Sequence, residues 1–166
     1  MKHFYAIDLE SWVYPNLEEF HNLSQKERKK LDGGYIVDST CRLLELLEKY
    51  NTKLTFFIIG ELYEWYPDLI RKIKRAGHEI AYHTHTHVLL KNKNLIEKQL
   101  ALSAHFLKEF QPRGFQAPVI YFPRSGYEII KKAGFRYSSS VYHSDIGIQP
   151  VDGVLEIPVS CNRVIL

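Results

Sequence analysis

The sequence predicts an α/β fold with a mainly parallel sheet. Short apolar segments alternate along the chain with segments of about 10–15 residues that have helical periodicity, the pattern of repeated strand–helix units. One apolar segment, residues 53–59, is almost continuous (Lys-Leu-Thr-Phe-Phe-Ile-Ile), as expected for a parallel strand covered on both faces. The chain has 166 residues, which is enough for a substantial core, so we predict a single domain over residues 1–166.

The order of the elements follows from the same periodicities. Strands are predicted at residues 3–7, 53–59, 79–83, 113–117, 135–139 and 154–159. Helices are predicted at residues 62–76, 95–110 and 125–133, with a further helix that Asp38 could cap. Pro67 is expected to break or begin the helix at 62–76, and Gly77 is expected to end it. Residues 15–34 are polar and predict a long loop with a helical piece.

Composition and charge exclude several classes of protein. The formal net charge is only +3 and the basic residues are spread along the chain, which argues against a nucleic-acid partner. The densest basic runs, 26–30 and 71–75, predict solvated helix faces. No apolar run approaches about 18 residues and no signal peptide precedes the first strand, so we expect a cytoplasmic protein without a membrane span. Cys41 and Cys161 lack the spacing of a metal motif.

A histidine-rich segment, residues 77–87, indicates a metal site. It contains four of the eight histidines of the chain, and His83 and His87 stand four residues apart. Neutral imidazole is a common protein ligand for zinc. Two imidazoles with this spacing can converge on one ion if the backbone between them coils.

Other polar residues are predicted to join these histidines. Asp8, Glu10, His83, His87 and Gln116 all fall at or just after predicted strand ends, and the ends of parallel strands lie on one face of the fold. Glu10, His83 and His87 would provide two imidazoles and one carboxylate, a set that leaves a coordination position open for water. Asp8 lies two residues from Glu10, on the same side of a strand, where it could accept a proton from that water.

Motifs along nearly the whole chain resemble those of one family. They are residues 6–12 (Ala-Ile-Asp-Leu-Glu-Ser-Trp), 42–47 with 55–60, 67–80 with 83–87 (His-Thr-His-Thr-His), 114–118 (Gly-Phe-Gln-Ala-Pro), 134–140 and 155–160. The sequence resembles the polysaccharide deacetylases, also called the NodB-homology or carbohydrate esterase type. The most similar branch has Asp-x-Glu or Asp-x-Asp in its first motif.

The resemblance implies a fold, a cofactor and a reaction. The fold would be a distorted, incomplete (β/α) barrel. A divalent metal, usually zinc, would be held by Glu10, His83 and His87, and Asp8 would be the general base. The reaction would be hydrolysis of an acetamide or related C–N bond on a sugar, with the metal polarising the carbonyl. Some relatives act on small amides such as allantoin.

The chain departs from the family pattern at three places. Glu10 stands where most active members have Asp, and Gln116 stands where they have an Arg that pairs with the base. Arg124 is a candidate replacement for that Arg, whereas Arg113 would face the opposite side of the strand. The later Leu-x-x-His motif, whose His acts as general acid, is not found in the 166 residues. His143 and His21 are candidate substitutes.

These departures keep a second function open. The chain could be a catalytically impaired relative that binds metal and acts as a carbohydrate-binding or assembly protein; a structural domain without metal is a third class. Because the family's C-terminal strands are not found, an exposed sheet edge is expected, and we predict a homo-oligomer that covers it.

The remaining side chains of interest have simpler expected roles. His78 and His85 are expected to be structural or to support the ligands, and Glu156 is expected to be structural. Trp12 and Tyr121 could form a wall on which a sugar ring stacks, or could pack at the rim of the core. Pro118 is expected to shape the end of its strand.

Overall fold

A computed structural model of the chain describes residues 4–15, 17–142 and 147–159. The strands are β1 (Ala6–Leu9), β2 (Thr55–Ile58), β3 (Glu79–Tyr82), β4 (Gly114–Phe115), β5 (Tyr137–Ser138), β6 (Gln149–Val151) and β7 (Val154–Glu156). The helices are α1 (Gln25–Asp32), α2 (Tyr35–Lys49), α3 (Gly60–Trp65), α4 (Pro67–Arg75), α5 (Lys93–Leu102), α6 (Ala104–Phe110) and α7 (Tyr127–Lys132). Two 3-10 turns, Pro118–Ile120 and Arg124–Gly126, precede α7.

The strands form one sheet in the order β1-β2-β3-β4-β5-β7-β6. Every neighbouring pair is parallel except β6 with β7, which is antiparallel. The predicted α/β class with mainly parallel strands is therefore confirmed. Among the described residues β1 and β6 are the two edges and do not pair with each other, so the barrel is incomplete.

Several predicted strand bounds were wrong. The first strand is Ala6–Leu9 instead of 3–7, so Asp8 lies within the strand and not beyond it. The strands β4 and β5 have only two residues each, although Gln116 and Ser139 after them still donate backbone hydrogen bonds to the neighbouring strands. The short antiparallel strand β6 was missed, and its partly exposed residues give little hydrophobic signal.

Two long predicted helices are each divided in two. The segment 62–76 forms α3 and α4, because Pro67 cannot donate the helical hydrogen bond and begins the second helix. The segment 95–110 forms α5 and α6, with the break at Ser103. Asp38 does not cap its helix, since α2 begins three residues earlier with Gly34 as its N-cap.

Gly77 ends α4, as predicted: it directly follows the C-cap Ala76 and has a left-handed φ of 81°. Another expectation about the helices was wrong. The basic run 26–30 is not entirely solvated, since Arg28 is buried against Glu61. No helix in the described ranges is long and apolar enough to cross a membrane.

The register of the parallel strands separates two faces of the sheet. Leu9, Ile58, Tyr82 and Phe115 form one row across β1–β4, and all four are buried in the core beneath the helices. Residues that precede or follow this row along each strand point to the other face. That face is the one that carries the polar residues of the strand ends.

The helix-covered side of the sheet is a dense aromatic layer. Tyr82 stacks on Phe135 with ring centroids 5.8 Å apart, and it also contacts Phe106 and Phe115. Interiors packed in this way resist displacement of individual strands. The layer therefore fixes the ends of β3 and β4, where the candidate site begins.

Candidate metal centre

Three predicted ligands meet at the carboxyl ends of β1 and β3. Glu10, His83 and His87 each offer a ligand atom, and these three atoms lie within 4.8 Å of one another. Glu10 Oε2 is 3.1 Å from His87 Nε2, and the two imidazole rings have centroids 5.1 Å apart. Zinc ligands at about 2.0–2.2 Å in tetrahedral geometry are about 3.3–3.6 Å from each other, so small side-chain movements suffice to close this set on one ion.

The orientation of His83 is set by a backbone carbonyl. His83 is 1% exposed, and its Nδ1 is 3.0 Å from the carbonyl oxygen of Gln116 on the neighbouring strand. Because a carbonyl can only accept, Nδ1 carries the proton and Nε2 keeps its lone pair. An imidazole held in this way is directed and made more basic for a metal at Nε2.

The backbone between the two histidines coils tightly. Thr84 and His87 both have left-handed φ angles, 65° and 56°. His87 N–H donates to Thr84 Oγ1 at 3.1 Å, which closes the turn. Each left-handed residue other than glycine costs about 1–3 kcal/mol, and such strain is concentrated at functional sites. This coil brings two imidazoles four residues apart to the same point without a helix.

Both histidines are neutral over the ordinary pH range. Burial lowers the pKa of His83 to about 4, against the opposing effect of its bond to the Gln116 carbonyl. Burial also lowers the pKa of His87 to about 4; the neighbouring His83 adds to this effect and the Asp8 carboxylate opposes it. Neutral imidazole is the form that binds metals, so no proton has to be removed before binding.

The two carboxylates of the site, Asp8 and Glu10, are close to each other and partly buried. Burial, followed by the negative charge of Asp8, raises the pKa of Glu10 to about 7. Burial likewise raises the pKa of Asp8, and His87 partly opposes this effect. Asp8 nevertheless keeps an exposed surface, whereas Glu10 Oε2 is buried without a hydrogen-bond partner in the described residues. A cation bound at Glu10 would supply the positive charge that stabilises this buried carboxylate. The set of two imidazoles and one carboxylate therefore fits a divalent metal.

Comparison with known proteins places this geometry in a family. The family model described as polysaccharide deacetylase matches residues 30–138, about two thirds of the chain. The chain belongs to the polysaccharide deacetylase family. The matched segment includes His83, His87 and Gln116, while Asp8 and Glu10 precede it.

Individual relatives extend the likeness. A peptidoglycan-N-acetylglucosamine deacetylase of Bacillus cereus is 27% identical over 141 residues, which are 81% of this chain and 62% of the relative. A putative polysaccharide deacetylase from Mycobacterium smegmatis has a crystal structure that matches 95% of this chain and 58% of its own, with 27% identity and a TM-score of 0.77. A carbohydrate esterase family 4 pseudoenzyme from Bacillus anthracis matches 57% of this chain and 35% of its own, with 25% identity and a TM-score of 0.52. The chain thus spans about 60% of the first two relatives.

Gln116 is the residue that the resemblance to the family motif aligns with an arginine. It is 4% exposed, and its backbone N–H donates to the Tyr82 carbonyl, which continues the pairing of β3 and β4. Because Phe115 pairs with Tyr82, the next residues, Gln116 and His83, lie side by side. The side chain of Gln116 therefore points to the same face as those of His83 and Glu10. Its Oε1 is buried with no hydrogen-bond partner in the described residues. Within the described ranges neither this oxygen nor Glu10 Oε2 has a hydrogen-bond partner, although His87 Nε2 lies 3.1 Å from Glu10 Oε2.

Two of the candidate replacements for the arginine and the histidine, Arg124 and His21, have their recorded contacts outside the ligand set. Arg124 has a side chain that is 84% exposed, and its Nε is 3.8 Å from Asp152, so it is no substitute for the arginine of the motif. His21 is exposed and bonds to the Glu18 carbonyl in its own loop. His143 lies outside the described residues.

The aromatic residues near the site do not form one described wall. Trp12 is 49% exposed and packs edge-on against Phe20, with centroids 5.6 Å apart. Tyr121 is 54% exposed and follows the 3-10 turn that Pro118 begins. An aromatic that sequence reasoning missed, Tyr14, lies on His87 with ring centroids 4.8 Å apart. No hydrophobic spacing marks Tyr14, because it lies in an irregular loop.

The other two histidines of the segment are buried away from the ligand triangle. His78 Nδ1 accepts the backbone N–H of Leu54 at 3.2 Å. His85 Nδ1 is hydrogen bonded to Ser103 Oγ at 3.0 Å. These contacts give both residues the structural roles that the sequence predicted. Glu156 is also buried, and it accepts hydrogen bonds from Tyr127 Oη at 2.8 Å and Ser140 N–H at 2.7 Å.

Sequence reasoning also missed two residues that contact the histidine segment, Gln99 on α5 and Ser103 at the break between α5 and α6. Gln99 and Ser103 are buried, and they lie on the same helical face as Ile96 and Phe106. Polar residues at apolar positions of an amphipathic pattern were the available signal. Gly60, at the start of α3, also contacts Ser103. A Cβ at this position would lie 2.1 Å from Ser103 Oγ, so a larger residue does not fit.

The loop after β1 is attached to the fold through buried polar contacts. Ser11, next to Glu10, donates to Asp32 at 2.6 Å, and Tyr66 donates to the same carboxylate at 2.8 Å. Arg28 forms a buried ion pair with Glu61 on α3. These bonds connect the strand end that carries Glu10 to the helices that pack beside the histidine segment.

The raised pKa of Glu10 predicts a stabilising substitution. A pKa of about 7 in the folded protein, against 4.5 for an ordinary glutamate, means that Glu10 favours folding below pH 4.5 and loses this contribution as the pH rises through 7. We expect metal-free Glu10→Gln protein to exceed the wild type in unfolding free energy by about 1–3 kcal/mol at pH 8, with the difference vanishing near pH 4.5. Chemical denaturation with a chelator present measures it.

Glu109 provides a control of opposite sign. Its hydrogen bonds with Arg71, then Tyr63, lower its pKa to about 2, so Glu109→Gln should lower stability at pH 8. His83 and His87 also contribute to the pH dependence of the unfolding free energy. Both are present in wild type and in Glu10→Gln, so their contributions cancel in the comparison. Equal stabilities of wild type and Glu10→Gln at pH 8 would contradict the crowded, uncompensated state of Glu10.

Proposed function

We propose that this protein is a metal-dependent hydrolase that removes acetyl or related acyl groups from N-acetylated sugars. The observation that carries the proposal is the convergence of Glu10, His83 and His87, with Asp8 two residues before Glu10 on the same face. The family and the B. cereus relative, which is a peptidoglycan-N-acetylglucosamine deacetylase, support a sugar N-acetyl substrate. The metal that best suits two imidazoles and a carboxylate is Zn²⁺.

Each residue has a role in the proposed reaction. Glu10, His83 and His87 hold the metal, which supplies a water of lowered pKa and polarises the acyl carbonyl. Asp8 accepts the proton of the attacking water. Its exposed surface leaves it accessible, and its raised pKa brings its proton affinity nearer to that of the group it must deprotonate.

Substrate contacts are proposed for the rim of the site. Trp12 and Tyr121 each keep about half of their surface exposed, as a sugar-stacking side chain requires. Pro118 shapes the backbone after Gln116, where Val119 and Ile120 have left-handed φ angles of 53° and 52°. Left-handed β-branched residues are rare, and this strain supports a functional role for the turn.

A second function has specific support. Gln116 is neutral, so the charge-assisted bond between arginine and the base is not available. A family 4 pseudoenzyme is among the solved relatives. This relative supports the alternative function, a catalytically impaired protein that binds metal and acts in carbohydrate binding or assembly. Asp8 distinguishes the two functions, because only the enzyme needs a base.

Asp8→Asn tests the enzymatic function. The variant should retain about one Zn²⁺ per chain and lose about 10²–10⁴-fold in kcat/KM for acetate release from N-acetylated sugar oligomers, because it cannot accept a proton. His83→Ala should lose the metal and the activity together. Metal content by mass spectrometry and an acetate assay provide the measurements.

The outcomes separate the two functions. Stoichiometric metal without Asp8-dependent hydrolysis supports the impaired relative and excludes the enzyme for these substrates. A metal-free wild type that His87→Ala leaves unchanged in stability and ligand binding excludes both.

Gln116→Met tests whether the buried carboxamide acts in the site. Methionine has a similar volume and removes the acceptor Oε1, so the variant should be more stable by about 1–3 kcal/mol. If Oε1 receives a hydrogen bond from substrate or attacking water, kcat/KM should fall about 10-fold or more with metal content unchanged. Unfolding and acetate assays measure both quantities. A gain in stability with full activity would remove Gln116 from the proposed machinery.

The homo-oligomer that the sequence predicts stays a prediction. Its support is the edge strand β1, which has one strand neighbour among the described residues, and Phe4 beside it, which is 73% exposed. We expect sedimentation to give a mass above that of one chain and Phe4→Glu to lower it. A wild-type monomer over the micromolar range would contradict this prediction.

A further inference from the structure

The coil between His83 and His87 needs external support. Its left-handed residues, Thr84 and His87, are disfavoured conformations for residues that carry a Cβ. Such a backbone persists only where its surroundings determine it more strongly than its own preferences do. The relevant question is therefore which groups bind the amides and carbonyls of this coil.

One side chain binds two consecutive amides of the coil. Gln99 Oε1 accepts the N–H of His85 at 2.8 Å and the N–H of Thr86 at 3.0 Å, with Thr86 Oγ1 at 3.4 Å. Gln99 is 3% exposed, so water does not compete for these bonds. Backbone N–H groups can only donate, so an acceptor is required at this position.

The backbone of Gln99 is fixed as well as its side chain. Its backbone carbonyl accepts the hydroxyl of Tyr82 at 2.7 Å, and Tyr82 directly precedes His83. One residue of α5 thus contacts the chain before the first ligand and in the middle of the coil. The carbonyls of the coil are fixed from α3, where Gly60 N–H donates to Thr84 and Glu61 N–H donates to His85, at 2.8 and 3.0 Å.

We infer that Gln99 is a positioning residue that sets metal affinity by fixing the conformation of residues 83–87. It touches neither ligand side chain, but its two hydrogen bonds determine how close the imidazoles of His83 and His87 come. This inference rests on the proposed metal centre. Outer residues that orient ligands alter metal affinity by about 10–100-fold when they are replaced.

Replacement of the acceptor is the main test. Gln99→Met keeps the length and volume of the side chain and removes both hydrogen bonds. We expect its Zn²⁺ affinity, measured by competition with a chelator, to fall about 10–100-fold. Gln99→Glu keeps an acceptor oxygen at the same place and should restore the affinity to within about threefold of the wild type.

Ser103→Ala is the matched control, because Ser103 is the C-cap of the same helix and also contacts the histidine segment. Ser103 Oγ bonds to the His85 side chain and lies 3.0 Å from Tyr82 Oη, but it makes no hydrogen bond to the backbone of the coil among the described residues. It should lower stability in the presence of chelator while changing Zn²⁺ affinity much less than Gln99→Met does. Affinities are compared well below the unfolding temperature of each variant, so loss of global stability alone does not mimic the result.

A measurement on the wild type covers the case in which Gln99→Met does not fold. The amides of His85 and Thr86 should exchange with deuterium as slowly as those of β3, because their hydrogen bonds are buried. Fast exchange of these amides would overturn the inference, as would a folded Gln99→Met protein with wild-type affinity. A wild type that binds no Zn²⁺ would refute the metal centre itself, which is a separate result.

Discussion

The register of four parallel strands is the constraint on which the site depends. Leu9, Ile58, Tyr82 and Phe115 align across β1–β4 on the helix-covered face, and the next positions of β1, β3 and β4 then have to turn to the opposite face. Those positions are Glu10, His83 and Gln116. A slip of one residue would expose the apolar row and bury the polar row beneath the helices, at a prohibitive cost in free energy. The hydrophobic core therefore specifies the face of the sheet to which the polar residues of the site point.

The site concentrates features that disfavour folding. Gln116 Oε1 is a buried acceptor without a hydrogen-bond partner among the described residues, and Glu10 Oε2 has only the ring nitrogen of His87 nearby, at 3.1 Å. Thr84 and His87 have strained backbones. Folded proteins retain such groups where a ligand supplies the missing interaction. The aromatic layer around Tyr82 and the buried Ser11–Asp32 bond lie directly beside these features and offset their cost locally. A site of this kind is organised before its ligand arrives, which limits the reorganisation that binding requires.

The sequence predicted the positions of the candidate site residues better than the surrounding contacts that hold them. Alternating strands and helices were sufficient to place Glu10, His83 and Gln116 at one edge, because parallel strand ends share an edge whatever their exact bounds. Periodicity could not place the break at Ser103, because buried hydrogen bonds with Tyr82 and His85 override the local helical pattern there. Contacts of side chains with distant backbone amides have no sequence spacing, so Gln99 could be suspected only as a polar residue on an apolar face.

In the proposed function, metal binding and catalysis depend on different parts of the chain. The two proposed histidine ligands, His83 and His87, lie in the segment after β3, which α3 and α5 hold through hydrogen bonds to its backbone. Asp8 lies on β1, an edge strand with one described neighbour, and Gln116 lies at the end of the two-residue strand β4. Substitutions at Asp8 or Gln116 can change proton transfer while the ligand triangle persists, because neither residue holds a ligand through its side chain. With the proposed roles, a substitution at Asp8 or Gln116 removes the chemistry and leaves the metal ligands in place, so activity has to be judged from these two residues and not from the histidines.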